Sequence, residues 1–294
     1  GKGGKQGRVW AYVSDQRPWA GTAPPGVVYR FSPDRKGEHP QRHLKGSGGI
    51  LQADAYAGFN QFYEMRADGS SQFHEAACWA HLRRDFHDVW EATKSEIARE
   101  ALDRIGKLYD LERQIAGQPA ELRKAARQQH SKPKVDAFKA WAEFQLARIP
   151  GKGDLAKAFR YGLSRWPSFE RYLEDGRIGI DNNPAERAIK PVVIGRKNWL
   201  FLGSEQAGPR AAVLYTILAG AKRHRIEPWS YVREILVRTY ADNPRWEEML
   251  PDRWVTQHPE AVLTHRLEES RNKAAAKKDR RRRRRRALDQ KHNR

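Results

Sequence analysis

The sequence contains a single cysteine, Cys78, among its 294 residues. One thiol excludes an internal disulfide framework and fits a reducing cytoplasm. No stretch of eighteen apolar residues occurs, so a transmembrane helix and a membrane partner are not expected. The opening Gly1-Lys2-Gly3-Gly4-Lys5 has no apolar segment and is no secretory signal. An initiator methionine is lacking too, and upstream sequence is expected to be missing. Acidic residues are also in short supply: 36 Asp and Glu face 56 Lys and Arg, a net charge of +20. Aromatic residues are plentiful. Ten Trp, ten Phe and an apolar fraction of 39% suffice to bury a core, in one large domain or two smaller ones.

The positive charge is spread along the chain. Residues 271–294 hold thirteen Lys and Arg against two Asp, which is +11 and leaves +9 for residues 1–270. A basic body with a basic tail favours a polyanionic partner, most simply nucleic acid, although a solvated basic surface has the same total. Seven consecutive arginines, Arg280 to Arg286, predict a tail that is disordered when free.

Strands are expected first. Val9-Trp10-Ala11-Tyr12-Val13, Val27-Val28-Tyr29-Arg30-Phe31 and Ile50-Leu51-Gln52-Ala53 read as three, the last ending on Asp54 after a turn-rich stretch from Pro33 to Gly49. Helices follow. Leu102, Ile105, Leu108 and Leu111 recur at three-residue spacing, and a helical pattern covers residues 134–148, with Pro119 and Pro133 as punctuation. Gly151-Lys152-Gly153 opens a helix with Leu155, Phe159, Leu163 and Trp166 on one face. Two more helices are expected, from Ala211 to Ala221 and from Trp229 to Tyr240. The order implies a mixed sheet with an inserted helical subdomain.

Two acidic positions stand out. Asp54 ends a strand beside a small-residue turn, where a carboxylate can hold a metal against a substrate or simply cap the helix starting near Tyr56. Glu186 follows Asp181-Asn182-Asn183-Pro184-Ala185. With Asn183 as N-cap and Pro184 first in the helix, Glu186 falls third and can bond back to the Asn183 backbone in a capping box. The same position also puts a carboxylate at a helix N-terminus framed by Arg187, Lys190, Arg196 and Lys197, an arrangement suited to a phosphate backbone. Both readings stay open on local grounds. Between them lies Cys78-Trp79-Ala80-His81-Leu82-Arg83-Arg84-Asp85-Phe86, expected on a helix. Cys78 and His81 sit one turn apart, but zinc needs four ligands and only His74 and His87 are near. His81 and Arg84 read instead as positioning or phosphate-contacting groups, with a satisfied core histidine as the alternative.

Taken together, Gln52-Ala53-Asp54-Ala55-Tyr56-Ala57-Gly58, the Cys78-x-x-His81-x-x-Arg84-x-Phe86 block, and Asp181 to Ile189 leading into Arg196-Lys197-Asn198-Trp199-Leu200-Phe201 resemble insertion-sequence transposases of the DDE type. The match is strongest to the family numbered sixty-six, the TnpC-type transposases, and spans nearly all of residues 8–253. Trp10 to Val13, Asp34 to His39 and Trp229 to Val232 belong to it as well.

The resemblance implies an α/β catalytic domain with a ribonuclease-H-like mixed sheet flanked by helices and an α-helical insertion between the second and third acidic positions. Residues 1–75 would hold the core strands, with the first strand upstream. Residues 76–175 would be the helical segment and insertion, residues 176–253 the rest of the core, and residues 254–294 the basic tail. Asp54 would be the second catalytic carboxylate and Glu186 the last, holding two Mg²⁺ ions, with Mn²⁺ as a substitute. Arg84, Arg187, Lys190, Arg196 and Lys197 would contact DNA, with His81 and Asn183 in positioning roles. The implied reaction is metal-dependent cleavage at transposon ends and strand transfer into target DNA, by a homo-oligomer in the bacterial cytoplasm and nucleoid, with accessory proteins of the same element as further partners.

The family's first aspartate precedes the Trp10 strand. Asp15, in the Ser14-Asp15-Gln16-Arg17-Pro18-Trp19 turn, is its poor substitute here. The competing expectation is therefore a catalytically inactive truncated fragment that only binds nucleic acid. A ribosomal or nucleoid protein explains the charge but not the ordered acidic boxes.

Overall fold

The computed structural model describes residues 6–198 and 201–292, so Gly1 to Lys5 and the Trp199-Leu200 pair of the last motif lie outside the described residues. The chain divides into two compact units, residues 1–212 and residues 213–294.

The first unit opens with an antiparallel pair, β1 (Arg8–Ser14) and β2 (Gly26–Ser32), in which Val9 faces Phe31 and Ala11 faces Tyr29. Helix α1 (Glu38–His43) leads to β3 (Gly49–Gln52). Helix α2 (Asn60–Tyr63) then leads to β4 (Phe73–Ala76), which pairs with β3 in parallel, Ile50 beside His74. The expected α/β class holds. The strands nevertheless form two separate pairs among the described residues, where the sequence suggested one mixed sheet.

A helical body follows: α3 (Trp79–Thr93), α4 (Glu96–Gln114), α5 (Ala120–Ala126), α6 (Lys132–Arg148), α7 (Asp154–Ser164), α8 (Trp166–Glu174) and α9 (Asn183–Gly195). Ser95 caps α4 by accepting the Ala98 N–H at 3.3 Å, and Ala101, Ile105 and Leu108 bury its inner face. Trp79, Phe86, Phe159 and Phe169 are all fully or almost fully buried, and the Trp79 indole N–H donates to the Phe169 carbonyl at 3.1 Å. Burial of each such ring contributes about 2–3 kcal/mol.

Two prolines shape the helical body in ways the sequence reading did not give. The face from Leu155 to Trp166 is not one helix: α7 ends at Ser164, and Trp166 starts α8 with Pro167 behind it. Pro167 lacks an N–H and its ring would meet the Leu163 carbonyl, so the helix must restart. Pro133 breaks nothing. A π-helical turn, Arg127–Ser131, joins α5 to α6 and absorbs the clash.

Helix α10 (Ala207–His224) carries the chain into the second unit, with α11 (Pro228–Arg238), α12 (Pro251–Gln257) and α13 (Thr264–His292). Ala221, Ile226, Tyr231, Met249 and Trp254 form its core, and the Tyr231 hydroxyl donates to the Met249 carbonyl at 2.5 Å. The basic tail continues as the helix α13. Its first turns carry Glu269 bonded to Arg266 and Lys273, and its Ala, Lys and Arg content has high helix propensity. No helix of the described residues is long and apolar enough to cross a membrane.

Candidate active site

Strand β3 delivers Asp54. The strand stops at Gln52, and the chain turns sharply after the carboxylate, with Ala55 in the left-handed region at φ 60°. Tyr56 then folds back: its hydroxyl donates to the Arg35 carbonyl, and the Arg35 guanidinium covers its ring at 4.4 Å. The Tyr56 ring lies so close to Gly58 that a Cβ there would collide with it. The result leaves Asp54 exposed at the strand's end.

Helix α9 delivers Glu186. The loop before it is fixed at almost every residue. Arg123 Nε donates to the Gly176 carbonyl at 2.8 Å, the Trp79 N–H to the Ile180 carbonyl at 3.1 Å, and the Asn182 N–H to Cys78 Sγ at 3.4 Å. The expected capping box is absent. Asn182, not Asn183, precedes the helix, and the Asn183 N–H donates to Asp181 Oδ1 at 3.1 Å. Asp181 thus takes the donor that Glu186 would have used, and the Asn183 side chain is also held by Asp181, at 2.6 Å. Glu186 is released to face α3, where His81 Nε2 approaches Oε1 at 3.0 Å and Arg84 Nη2 approaches Oε2 at 3.6 Å. His81 Nδ1 is buried with no partner.

Asp54 and Glu186 open onto one cavity of about 1290 Å³, with Asp181 and Lys190 in its wall. Two consecutive runs contribute to its lining, residues 9–15 along β1 and residues 47–54 along β3. Neither edge is paired there among the described residues, since β1 bonds only β2 and β3 only β4. Arg187, Arg196 and Lys197 are exposed but outside the cavity lining. Asp15 reaches the cavity already engaged by Arg17, through Nε at 2.8 Å, Nη2 at 2.6 Å and the backbone N–H at 3.1 Å.

Carboxylate oxygens without a Cys or His cage suit Mg²⁺. The gathering is incomplete. Among the described residues the group of ligand atoms within 4.8 Å of one another is Asp34, Glu38 and His39, none of which lines this cavity. That group is internally satisfied: His39 Nε2 meets Asp34 at 2.7 Å and its Nδ1 meets Arg42 at 3.2 Å. Sequence reasoning missed the parts played by Gln52, Cys78 and Asp181, although all three lie inside the motifs it singled out.

A histidine bonded to Tyr12 of the cavity lining carries a pH dependence. The Tyr12 hydroxyl bonds His43 Nδ1 at 3.0 Å, and burial, aided by Arg30, Arg42 and His39, lowers the His43 pKa from 6.5 to about 4. The unfolded chain therefore binds a proton that the folded chain refuses between those values, and stability falls as the pH drops through the window. The melting temperature should decline between pH 6.5 and pH 4, and His43→Gln should flatten part of that decline.

Residues 1–210 match the family described as Transposase IS66 family. Three curated proteins of Sinorhizobium fredii (strain NBRC 101917 / NGR234), each called uncharacterized, are similar over most of this chain. Protein y4hP is 41% identical over 262 residues, 84% of this chain and 47% of its own length. Protein y4qI is 41% identical over 78% of this chain and 43% of its own length, and y4jD 36% identical over 84% and 49%. The chain therefore spans about half the length of the curated relatives it matches. No solved structure matches. The family match covers both carboxylates, the α3 block that faces Glu186 and the loop between them, and the chain belongs to the IS66 transposase family.

Proposed function

We propose that this chain is the catalytic part of a DDE-type DNA transposase, which cuts transposon ends and joins them to target DNA. The observation that carries this reading is the convergence of Asp54 and Glu186, from opposite ends of a long helical segment, on one cavity. In this reading Asp54 and Glu186 hold divalent metal, Mg²⁺ or Mn²⁺. The bound metal would polarise the scissile phosphate and lower the pKa of the attacking hydroxyl. His81 orients Glu186, and Arg84, close to the carboxylate yet 55% exposed, turns to a DNA phosphate. Arg187, Lys190, Arg196 and Lys197 neutralise the backbone, and Asn183 holds the turn through Asp181.

The fold proposed is ribonuclease-H-like. It is supported by two strands, β1 and β3, that both line the cavity and each pair on one side only among the described residues, because a strand bonded to both would make one mixed sheet of five. A segment upstream of β1 would supply that strand and the first aspartate. A DNA-binding chain without catalysis is the second reading, favoured by the engagement of Asp15 with Arg17.

The test is Mg²⁺-dependent nicking of DNA bearing the element's end sequence, by this chain and by a version extended upstream. Nicking by the extended chain that stops with EDTA supports the reading, and binding without nicking by both supports the second. Binding should also weaken with salt. Replacing Arg187 and Lys190 by Ala should reduce the slope of log K against log salt by about 0.9 for each phosphate no longer neutralised.

A further inference from the structure

Gln52 is the last residue of β3, two positions before Asp54, and its side chain leaves the strand toward the other acidic box. Its Nε2 donates to the Gly179 carbonyl at 2.7 Å and approaches the Ala77 carbonyl at 3.4 Å. Both partners are carbonyls, which accept only, so the amide has one workable orientation. Gly179 has no room to spare: a Cβ there would lie 3.3 Å from Gln52 Oε1 and 3.1 Å from the Asp181 carbonyl.

The other ties on this loop come from the helical side. Trp79, Cys78 and Arg123 grip residues 176–182 from α3 and α5. Gln52 grips it from the strand that carries Asp54. Among the described residues, the hydrogen bonding between β3 and the loop before α9 thus runs through one amide group. We propose that Gln52 is a positioning residue that sets Asp54 and Glu186 relative to each other and so tunes their joint hold on a divalent cation. This rests on the site reading above and adds to it a residue that acts through the loop before α9.

Three variants separate shape from hydrogen bonding. Gln52→Met keeps the length without donors, Gln52→Glu sets a carboxylate against two carbonyls, and Gln52→Asn keeps the amide on a shorter arm. Hydrogen exchange of the full chain, read by mass spectrometry, follows residues 177–187, and Mn²⁺ titration by electron paramagnetic resonance gives the cation affinity. Loss of hydrogen bonds to buried carbonyls should speed exchange of this segment about tenfold in Gln52→Met and further in Gln52→Glu, with α6 unchanged. Mn²⁺ affinity should fall about tenfold in both and less in Gln52→Asn. Unchanged exchange in both Met and Glu variants overturns the proposal. So does faster exchange with Mn²⁺ affinity intact, if Asp54→Asn and Glu186→Gln do weaken it. If those two carboxylate variants also bind Mn²⁺ as the parent does, or the parent binds none, the site reading itself fails and Gln52 is merely a loop tie.

Discussion

Asp54→Asn and Glu186→Gln are each expected to cut end DNA about a thousandfold more slowly than the parent, or worse, in the chain extended upstream. DNA affinity should stay within a few fold. Both substitutions are nearly isosteric, which is why the loss can be assigned to chemistry. Asp54 is exposed and bonds no core group, so an amide there disturbs no packing. A glutamine at position 186 keeps the size and shape of the side chain, so its packing beside His81 and Arg84 on α3 is retained. What each change removes is negative charge from an oxygen facing the cavity, and a divalent cation held by carboxylates depends on that charge. The phosphate contacts assigned to Arg187, Lys190, Arg196 and Lys197 are untouched. Filter binding and nicking measured on the same preparations decide it. Normal cutting by either variant would return that residue to a structural role.

Much of this site was legible because its chemistry is local in sequence. Gln52 to Gly58 and Asp181 to Glu186 each form a compact motif, and residue type alone marks the carboxylates. The capping box at Glu186 was also a sound local reading, and it failed for a local reason: Asp181 captures the Asn183 N–H first. The pairing of Glu186 with His81 and Arg84 joins segments about a hundred residues apart, and no periodicity carries that information.

The elements divide in the same way. β1 and β2 alternate strongly enough to be read within a residue at each end, whereas three-residue spacing found α4 only from Leu102 to Leu111 and left its first six residues unread. β4 escaped because Phe73-His74-Glu75-Ala76 is only four residues long, and its pairing with β3 is supplied from outside the strand. The break between α7 and α8 could have been read from Pro167, whose effect on the preceding turn outweighs the continuous apolar face. The cavity flanked by β1 and β3 was not legible at all, because an unpaired edge is a property of two strands together.

The largest stability effect is expected from Glu112→Ala, which should cost about 3–5 kcal/mol. Glu112 lies between two buried guanidiniums. Arg127, with no exposed surface, reaches it through Nε at 2.7 Å and Nη2 at 2.8 Å, and Arg123 through Nη2 at 3.2 Å. Burial already lowers the Arg123 pKa, and the Arg127 charge adds to the lowering, so Glu112 is what makes the pair tolerable. Removing it leaves two desolvated cations side by side, a worse outcome than removing either arginine. Arg127→Met should cost less, because Glu112 keeps Arg123, although the Tyr172 and Asp175 carbonyls lose their donor. Urea midpoints at constant slope measure both. The network also reaches the site. Arg123 and Arg127 hold the Gly176 and Asp175 carbonyls at the start of the loop that leads to Glu186. Glu112→Ala should therefore loosen residues 175–182 in hydrogen exchange at temperatures where the rest of the helical body is still folded. If the variant melts at the parent's midpoint, the two guanidiniums must find water when Glu112 is gone, and the dry interior inferred for this cluster would be wrong.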